Sequence, residues 1–257
     1  MDNKDLKEIC NSLIDTFLTA GERAIELRKI GLTKKIKSDN TPVTNGDLEV
    51  NEVITKKILN LTPDIPIISE ETESNKLNTN LKNFWLIDPI DGTSEYINNR
   101  EEFTINAALI INKKPVIGVV YAPAKKRLFY TYGPSYAFEI FNNKEINLSE
   151  KKKENVNLIT AVSYSNDLKP DILKLHEKFN VSKYQRMKSS LKFCVVAACE
   201  FDLYVAEARA YEWDIAAGHA LLENAGGKMT DFDGNEILYG KTDFKNPSLI
   251  LKGKYIL

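Results

Sequence analysis

Residues 85–93 read Trp85-Leu86-Ile87-Asp88-Pro89-Ile90-Asp91-Gly92-Thr93. An apolar run leads into two carboxylates three residues apart around a proline, and Gly-Thr follows at once. Asp, Pro and Gly are ordinary turn formers after a strand, so local chemistry alone marks a strand exit at Asp88. Pro89 fixes one backbone angle and donates no hydrogen bond, which lets the Ile90 carbonyl turn toward a cation between Asp88 and Asp91. One short peptide then offers three oxygens. Ser94-Glu95-Tyr96-Ile97 reads as the start of a helix, so the N–H groups of Gly92 and Thr93 would face an anion.

Acids recur in the same setting on both sides of this stretch. Pro66-Ile67-Ile68-Ser69 is a short strand ending in Glu70-Glu71, and Phe84 to Ile87 is a strand ending at Asp88. Thr44 and Asp47, three residues apart, resemble a capping pair that opens a helix through Leu59. Glu212-Trp213-Asp214 opens a helix to Asn224, which Gly226-Gly227 ends. Taken singly, Asp47 and Asp214 serve as helix caps and Glu70-Glu71 as a solvated loop. Taken together, Asp47, Glu70, Asp88, Asp91 and Asp214 form a set at strand ends and helix starts, where layered α/β folds gather their ligands.

Convergence would impose an electrostatic demand. Two like charges ~4 Å apart repel by roughly 4 kcal/mol at an effective dielectric near 20, so such a set requires cations. No histidine or cysteine belongs to the set, and hard oxygen ligands favour magnesium or manganese over zinc or copper. Cations beside a phosphate cradle point to phosphate chemistry.

The remaining chain supplies the frame. Leu6, Ile9, Leu13, Ile14, Phe17, Leu18, Ile25 and Leu27 recur at helical spacing, and the basic stretch Lys34 to Asn40 breaks that helix. Phe103 to Tyr121 and Leu128 to Ile140 read as β-hairpins. The polar segment 142–157 reads as a joint, which divides the chain into 1–150, an α+β half with an antiparallel sheet, and 151–257, an α/β half. In the second half Leu158 to Val162 and Asp202 to Val205 read as strands, Ile172 to Phe179 and Leu191 to Glu200 as helices.

At 257 residues with 35 basic and 36 acidic side chains, the formal net charge is -1, which removes any general electrostatic case for nucleic acid or an anionic membrane as partner. Cys10, Cys194 and Cys199 are an odd number in apolar surroundings, as expected of reduced core residues. No apolar run reaches membrane-spanning length. The expectation is a cytoplasmic protein with a small-molecule ligand and no membrane insertion.

Ser69-Glu70-Glu71, the stretch 85–93, and Trp213-Asp214-Ile215-Ala216-Ala217-Gly218 occur in this order, and the ordered set resembles the inositol monophosphatase superfamily of magnesium-dependent, lithium-inhibited phosphomonoesterases. Residues 37–47 (KSDNTPVTNGD), 101–110 (EEFTINAALI), 117–123 (IGVVYAP) and 189–194 (SSLKFC) look most like its CysQ-type 3'(2'),5'-bisphosphate nucleotidase branch. The resemblance implies a layered α-β-α-β-α sandwich of the inositol monophosphatase and fructose-1,6-bisphosphatase type. It implies two or three Mg2+ ions, with Mn2+ as a substitute, on Glu70, Asp88, the Ile90 carbonyl, Asp91 and Asp214. It also implies phosphate near Gly92 and Thr93, with a small phosphate ester as the partner molecule and a homodimer as the assembly. A water activated by Glu70, and by the Thr93 hydroxyl leaning on Asp47, would attack phosphorus, while a second ion on Asp88, Asp91 and Asp214 would stabilise the departing alkoxide. Such ions typically lie ~3.5–4 Å apart. The leading expectation is hydrolysis of 3'-phosphoadenosine 5'-phosphate to AMP and phosphate. Inositol monophosphate or another sugar phosphate is the alternative, and a catalytically silent metal-binding regulator the alternative of another class.

Two positions depart from the nucleotidase pattern. Ser94 stands where that branch usually has lysine after Gly-Thr, and Val205-Ala206-Glu207-Ala208-Arg209-Ala210 replaces an arginine and a Phe-Gly-Pro-Thr run. Both changes remove expected groups for a second phosphate. Glu207, seven residues before Asp214, matches a carboxylate that inositol monophosphatases use on sugar hydroxyls, which would suit a polyol; its local reading is a solvated loop residue. Ser189, Ser190 and Lys192 match the nucleotidase-like segment, so Ser190 and Lys192 are candidate substrate contacts, with a helix-surface lysine as the local reading of Lys192. Trp213 and His219 read as packing residues, and His176 as a surface residue.

Overall fold

In the computed structural model, which describes residues 2–37, 40–72, 81–153 and 157–256, the N-terminal periodicity forms α1 (Asn3–Ile30). Three- and four-residue spacing places Leu6, Leu13, Phe17 and Leu27 on its buried face. The basic stretch taken as a break contains β1 (Lys34–Ile36), paired antiparallel with β2 (Pro42–Thr44). Ser38 and Asp39 of that stretch lie outside the described residues. α2 (Asn45–Leu61) opens on the expected Thr44–Asp47 capping box.

Next come β3 (Ile67–Ser69), β4 (Phe84–Asp91) and the short α3 (Thr93–Ile97). The two expected hairpins are β5 (Thr104–Ile111) with β6 (Lys114–Ala122) and β7 (Arg127–Thr131) with β8 (Ala137–Phe141). β9 (Lys144–Asn147) pairs with β8, so the segment read as a joint begins with a strand. Its burial is almost entirely exposed, without the apolar alternation that identifies a strand from sequence. Residues 154–156 of that segment lie outside the described residues. These strands form one sheet in the order β3-β4-β5-β6-β7-β8-β9, antiparallel except for β3 beside β4.

A second sheet contains β10 (Ile159–Ser163), β11 (Val181–Arg186), β12 (Leu203–Ala206), β13 (Lys228–Asp231) and β14 (Leu249–Lys252), in the order β11-β10-β12-β14-β13. β10 runs parallel to both β11 and β12. The helices of this half are α4 (Pro170–Lys178), α5 (Leu191–Ala197) and α6 (Glu212–Asn224). α5 stops at Ala197, short of the expected Glu200, and Cys199 turns to φ 57°.

Period two along β4 explains the layering. Trp85 and Ile87 face α1 and α2 in one core, while Phe84 and Leu86 face α5 and α6 in another. The core under α5 and α6 continues to Val162, Tyr204 and Leu251 of the second sheet. Ala161, Leu203 and Val205 on that sheet's far face meet Ile172 of α4. The layers therefore run α1/α2, first sheet, α5/α6, second sheet, α4, which is the expected α-β-α-β-α sandwich. Among the described residues no helix is long and apolar enough to cross a membrane.

Candidate active site

β4 continues through Asp91 instead of ending at Asp88. Asp88 pairs with Asn106 and Asp91 with Thr104, with a register shift between them that takes up Pro89 and Ile90. Proline is tolerated there because a bulge does not need its N–H. Gly92 follows at φ 92°, a left-handed conformation suited to glycine, and a Cβ on it would lie 3.0 Å from the Glu102 carbonyl oxygen. The chain then turns into α3 with Thr93 at its first position.

The Thr93 hydroxyl is 3.2 Å from Asp47 Oδ1 and 3.1 Å from the Ile90 carbonyl oxygen. A hydroxyl has one proton, so the two acceptors share it. The other Asp47 oxygen, Oδ2, accepts from the Thr44 amide at 2.8 Å and the Thr44 hydroxyl at 2.6 Å. Burial pushes the Asp47 carboxyl up, and the Thr44 donors oppose that shift.

Glu70, Asp88 and Asp214 each bring an oxygen to within 4.8 Å of the others, a geometry that could hold a metal ion. Glu70 leaves the end of β3, Asp88 lies on β4, and Asp214 lies in the first turn of α6, where it accepts from the Tyr211 amide at 2.8 Å. Asp88 is 1% exposed, and its Oδ1 is buried without a hydrogen-bond partner. Burial and the nearby Glu70, Asp91 and Asp214 charges raise the Asp88 carboxyl well above the usual range. Burial, Asp91 and Glu70 do the same to Asp214. A buried carboxylate oxygen without a donor, among acids that raise one another's pKa, fits a hard divalent cation. The Lys37 ammonium pairs with Glu70 at 2.8 Å and with Glu71 at 3.0 Å.

Asp91 is not within that three-carboxylate group. Its Oδ2 accepts from the amide and, at 2.6 Å, the hydroxyl of Ser190. The Asn106 side-chain amide donates to the Ser190 hydroxyl at 2.7 Å, so Ser190 ties the end of β4 and β5 to the start of α5. Glu70, Asp88, Ile90, Asp91, Gly92, Thr93, Ser190, Lys192 and Asp214 border one cavity of about 370 Å³. Lys192 is 4% exposed, and its ammonium donates to the Ser189 carbonyl instead of lying on a helix surface. Burial pulls Lys192 down to about 8, with Asp91 and Asp214 opposing the shift and Arg209 and Lys188 adding to it.

Glu207, read either as a contact to sugar hydroxyls or as a solvated loop residue, lies in the loop that follows β12. It pairs with Lys169 and does not border the cavity. Arg209, two residues on, does border it, together with Lys188 and Tyr164. Sequence reasoning assigned no role to these three; the basic residues flanking Ser189-Ser190 were the available signal. Trp213 packs on Tyr211 with ring centres 4.9 Å apart, and His219 meets the Tyr239 hydroxyl at 2.9 Å, both as expected of packing residues. His176 is 7% exposed and packs edge-on against Tyr184, a correction to its surface reading. Its place on the buried side of a nine-residue helix has too little apolar pattern to show in the sequence. Cys10, Cys194 and Cys199 are free, as expected.

Residues 5–256 match the model of the Inositol monophosphatase family. The chain belongs to that family. The protein named 3'(2'),5'-bisphosphate nucleotidase CysQ from Buchnera aphidicola subsp. Acyrthosiphon pisum is 37% identical over 206 residues, which cover 79% of this chain and 76% of the relative. The protein of the same name from Salmonella typhimurium is 36% identical over 214 residues, covering 82% and 85%. The crystal structure of CysQ from Bacteroides thetaiotaomicron, described as a bacterial member of the family, superposes with a TM-score of 0.75 at 30% identity, covering 95% of this chain and 97% of that one.

Proposed function

We propose that this protein is a metal-dependent phosphomonoesterase of the 3'(2'),5'-bisphosphate nucleotidase type, acting in the cytoplasm on 3'-phosphoadenosine 5'-phosphate to give AMP and phosphate. One observation carries the substrate class: a single cavity is lined both by acids, Glu70, Asp88, Asp91 and Asp214, and by cations, Lys188, Lys192 and Arg209. Acids that gather metal ions suit the scissile phosphate, and cations suit a second anionic group on the same small molecule. Inositol monophosphate has no such second group. Glu207, whose match had favoured a polyol, is turned to Lys169 instead. The names of the relatives from Buchnera and Salmonella point the same way.

In this reading Glu70, Asp88, the Ile90 carbonyl, Asp91 and Asp214 would hold two or three Mg2+ ions, for which Mn2+ can substitute. Such ions supply a lowered pKa for the attacking water and charge neutralisation at the transferred phosphoryl group. Asp47 accepts the Thr93 proton, which leaves the Thr93 oxygen free to accept from a water and orient it. Glu70 would act on the same water as a general base. Gly92 and Thr93 border the scissile phosphate, Ser190 fixes Asp91, and Lys192 meets substrate oxygen. Residues 1–150 and 151–257 act as two halves, with the first supplying most metal ligands and the second Asp214 and the cations.

Phosphate release from 3'-phosphoadenosine 5'-phosphate, inositol 1-phosphate and fructose 1,6-bisphosphate, with and without Mg2+ and Li+, tests the assignment. The nucleotide should be preferred, with release that needs Mg2+ and falls with Li+. Preference for inositol 1-phosphate would overturn the nucleotidase reading, and release from none of the three would overturn the enzyme.

A further inference from the structure

Tyr164, Lys188 and Arg209 come from three neighbouring strands. Tyr164 directly follows β10, Lys188 lies two residues beyond β11, and Arg209 three beyond β12. β10 is the middle strand of the three and runs parallel to both neighbours, so all three residues gather at the carboxyl ends of parallel strands. Ligands of layered α/β folds collect at such ends.

The tyrosine ring receives a cation from each flanking strand. Lys188 Nζ is 3.1 Å and Arg209 Cζ 3.2 Å from the ring centre. Among the described residues no carboxylate lies within ion-pair distance of the Lys188, Lys192 or Arg209 side chain. Like charges held together in a cavity repel, and the negative face of an aromatic ring offsets only part of that repulsion. The two cations also act on the phenol: burial raises Tyr164, yet Lys188 and Arg209 outweigh it and leave the group below its ordinary value. Lys188 and Arg209 have no ion-pair partner among the described residues and border the same cavity as the acids, an arrangement suited to an anion. It stands in a chain that has Ser94 after its Gly-Thr pair and no Phe-Gly-Pro-Thr run before Asp214.

We infer that Lys188 and Arg209, held on the ring of Tyr164, form the subsite for a second phosphate of the substrate, distal to the phosphate that is hydrolysed. The inference rests on the proposed phosphatase reading and assigns the distal contact to residues outside its ordered motifs. Tyr164 acts as a positioning residue through its ring, which keeps both cations at the mouth of the cavity until a tetrahedral oxyanion draws them onto its oxygens.

The test compares 3'-phosphoadenosine 5'-phosphate with 3'-AMP on the full chain with Mg2+, using Lys188→Met, Arg209→Met, Tyr164→Leu and Tyr164→Phe. Loss of one charge-assisted contact in the methionine variants, or of the ring that positions both cations in Tyr164→Leu, should raise KM for the bisphosphate about tenfold. Their kcat and their KM for 3'-AMP should stay within about twofold of wild type, since no contact to the scissile phosphate is removed. Tyr164→Phe keeps the ring and should keep the wild-type preference. An unchanged bisphosphate KM in the methionine variants, or an equal rise for both substrates, overturns the subsite; Tyr164→Phe behaving like Tyr164→Leu overturns the role of the ring. Calorimetric affinity for the bisphosphate in EDTA reads the subsite without turnover, so it separates this inference from the phosphatase reading. There the methionine variants should bind about tenfold more weakly than wild type, and equal binding, or none by wild type, overturns the inference.

Discussion

The Thr93 hydroxyl stands 3.2 Å from Asp47 Oδ1, joining residues 46 positions apart across two elements. The contact depends on Thr44, whose amide and hydroxyl saturate the other carboxylate oxygen and fix the plane of the group. The helix cap and the orientation of Asp47 are therefore one structure.

Asp47→Asn and Thr93→Val should each lower kcat about a hundredfold or more, in the range typical of a lost general acid–base partner, with a smaller change in KM. Thr44→Val should lower kcat as well, because Asp47 Oδ2 then keeps only the backbone amide of residue 44 as donor and is held less firmly, and should cost about 1 kcal/mol of stability through the lost cap. Thr44→Ser keeps both donors and should restore most of each. Steady-state phosphate release and thermal melts on the four variants check this; a Thr44→Val enzyme with wild-type kcat would refute the link.

Asp91→Asn removes one carboxylate from a region where Asp88 and Asp214 are already raised by it. Turnover should fall far more than stability, and the metal-free variant should melt no lower than wild type because like-charge repulsion is relieved. Mg2+ should stabilise wild type by linkage, about 2.7 kcal/mol at a hundred times the dissociation constant, and stabilise the variant much less. Melting curves in EDTA and in saturating Mg2+ decide the matter. A wild-type Tm that does not move with Mg2+ would count against the cation site.

How much was legible follows from what each feature depends on. The α1 stripe, the Thr44–Asp47 cap and the two hairpins are local patterns, and each appears where the spacing placed it. β9 and β11 were illegible because they are mostly exposed strands, with polar residues where alternation would otherwise show. The acids share a placement at strand ends and helix starts, but their convergence was legible only through the ordered motifs, since nothing local brings Asp214 beside Asp88. Arg209 was missed for the same reason from the other side. Its loop lacked the expected run, and only the pairing of β12 with β10 shows that the loop opens toward Tyr164.

Lys192 sets a pH dependence. Burial lowers it to about 8 from an ordinary 10.5, so its charge is lost as pH rises through the folded value. Binding of the bisphosphate should weaken between about pH 7 and 9.5, and Lys192→Met should flatten that part of the profile. Stability of the ligand-free protein moves the other way. Between the two pKa values the unfolded chain holds more protons than the folded one, so this group makes the fold more stable as pH rises through that window. KM against pH and Tm against pH, each compared with Lys192→Met, check the two signs.

Gly118 on β6 lies directly beneath α6, and a Cβ there would collide with the Ala217 backbone oxygen. Because the obstacle is backbone, the helix must move away from the sheet, and that helix carries Asp214 while the sheet carries Asp88. Gly118→Ala should therefore cost about 1–3 kcal/mol, as overpacking does, and should also shrink the Tm gain from Mg2+ by separating Asp214 from Glu70 and Asp88. Gly234→Ala is the matched control. Its Cβ would meet open space, but its φ of 88° strains any other residue, so it should destabilise without touching the metal response. Melts of both variants across a Mg2+ titration separate the effects. A Gly118→Ala protein that gains as much from Mg2+ as wild type would show that the packing of α6 on β6 does not set the spacing of the acids.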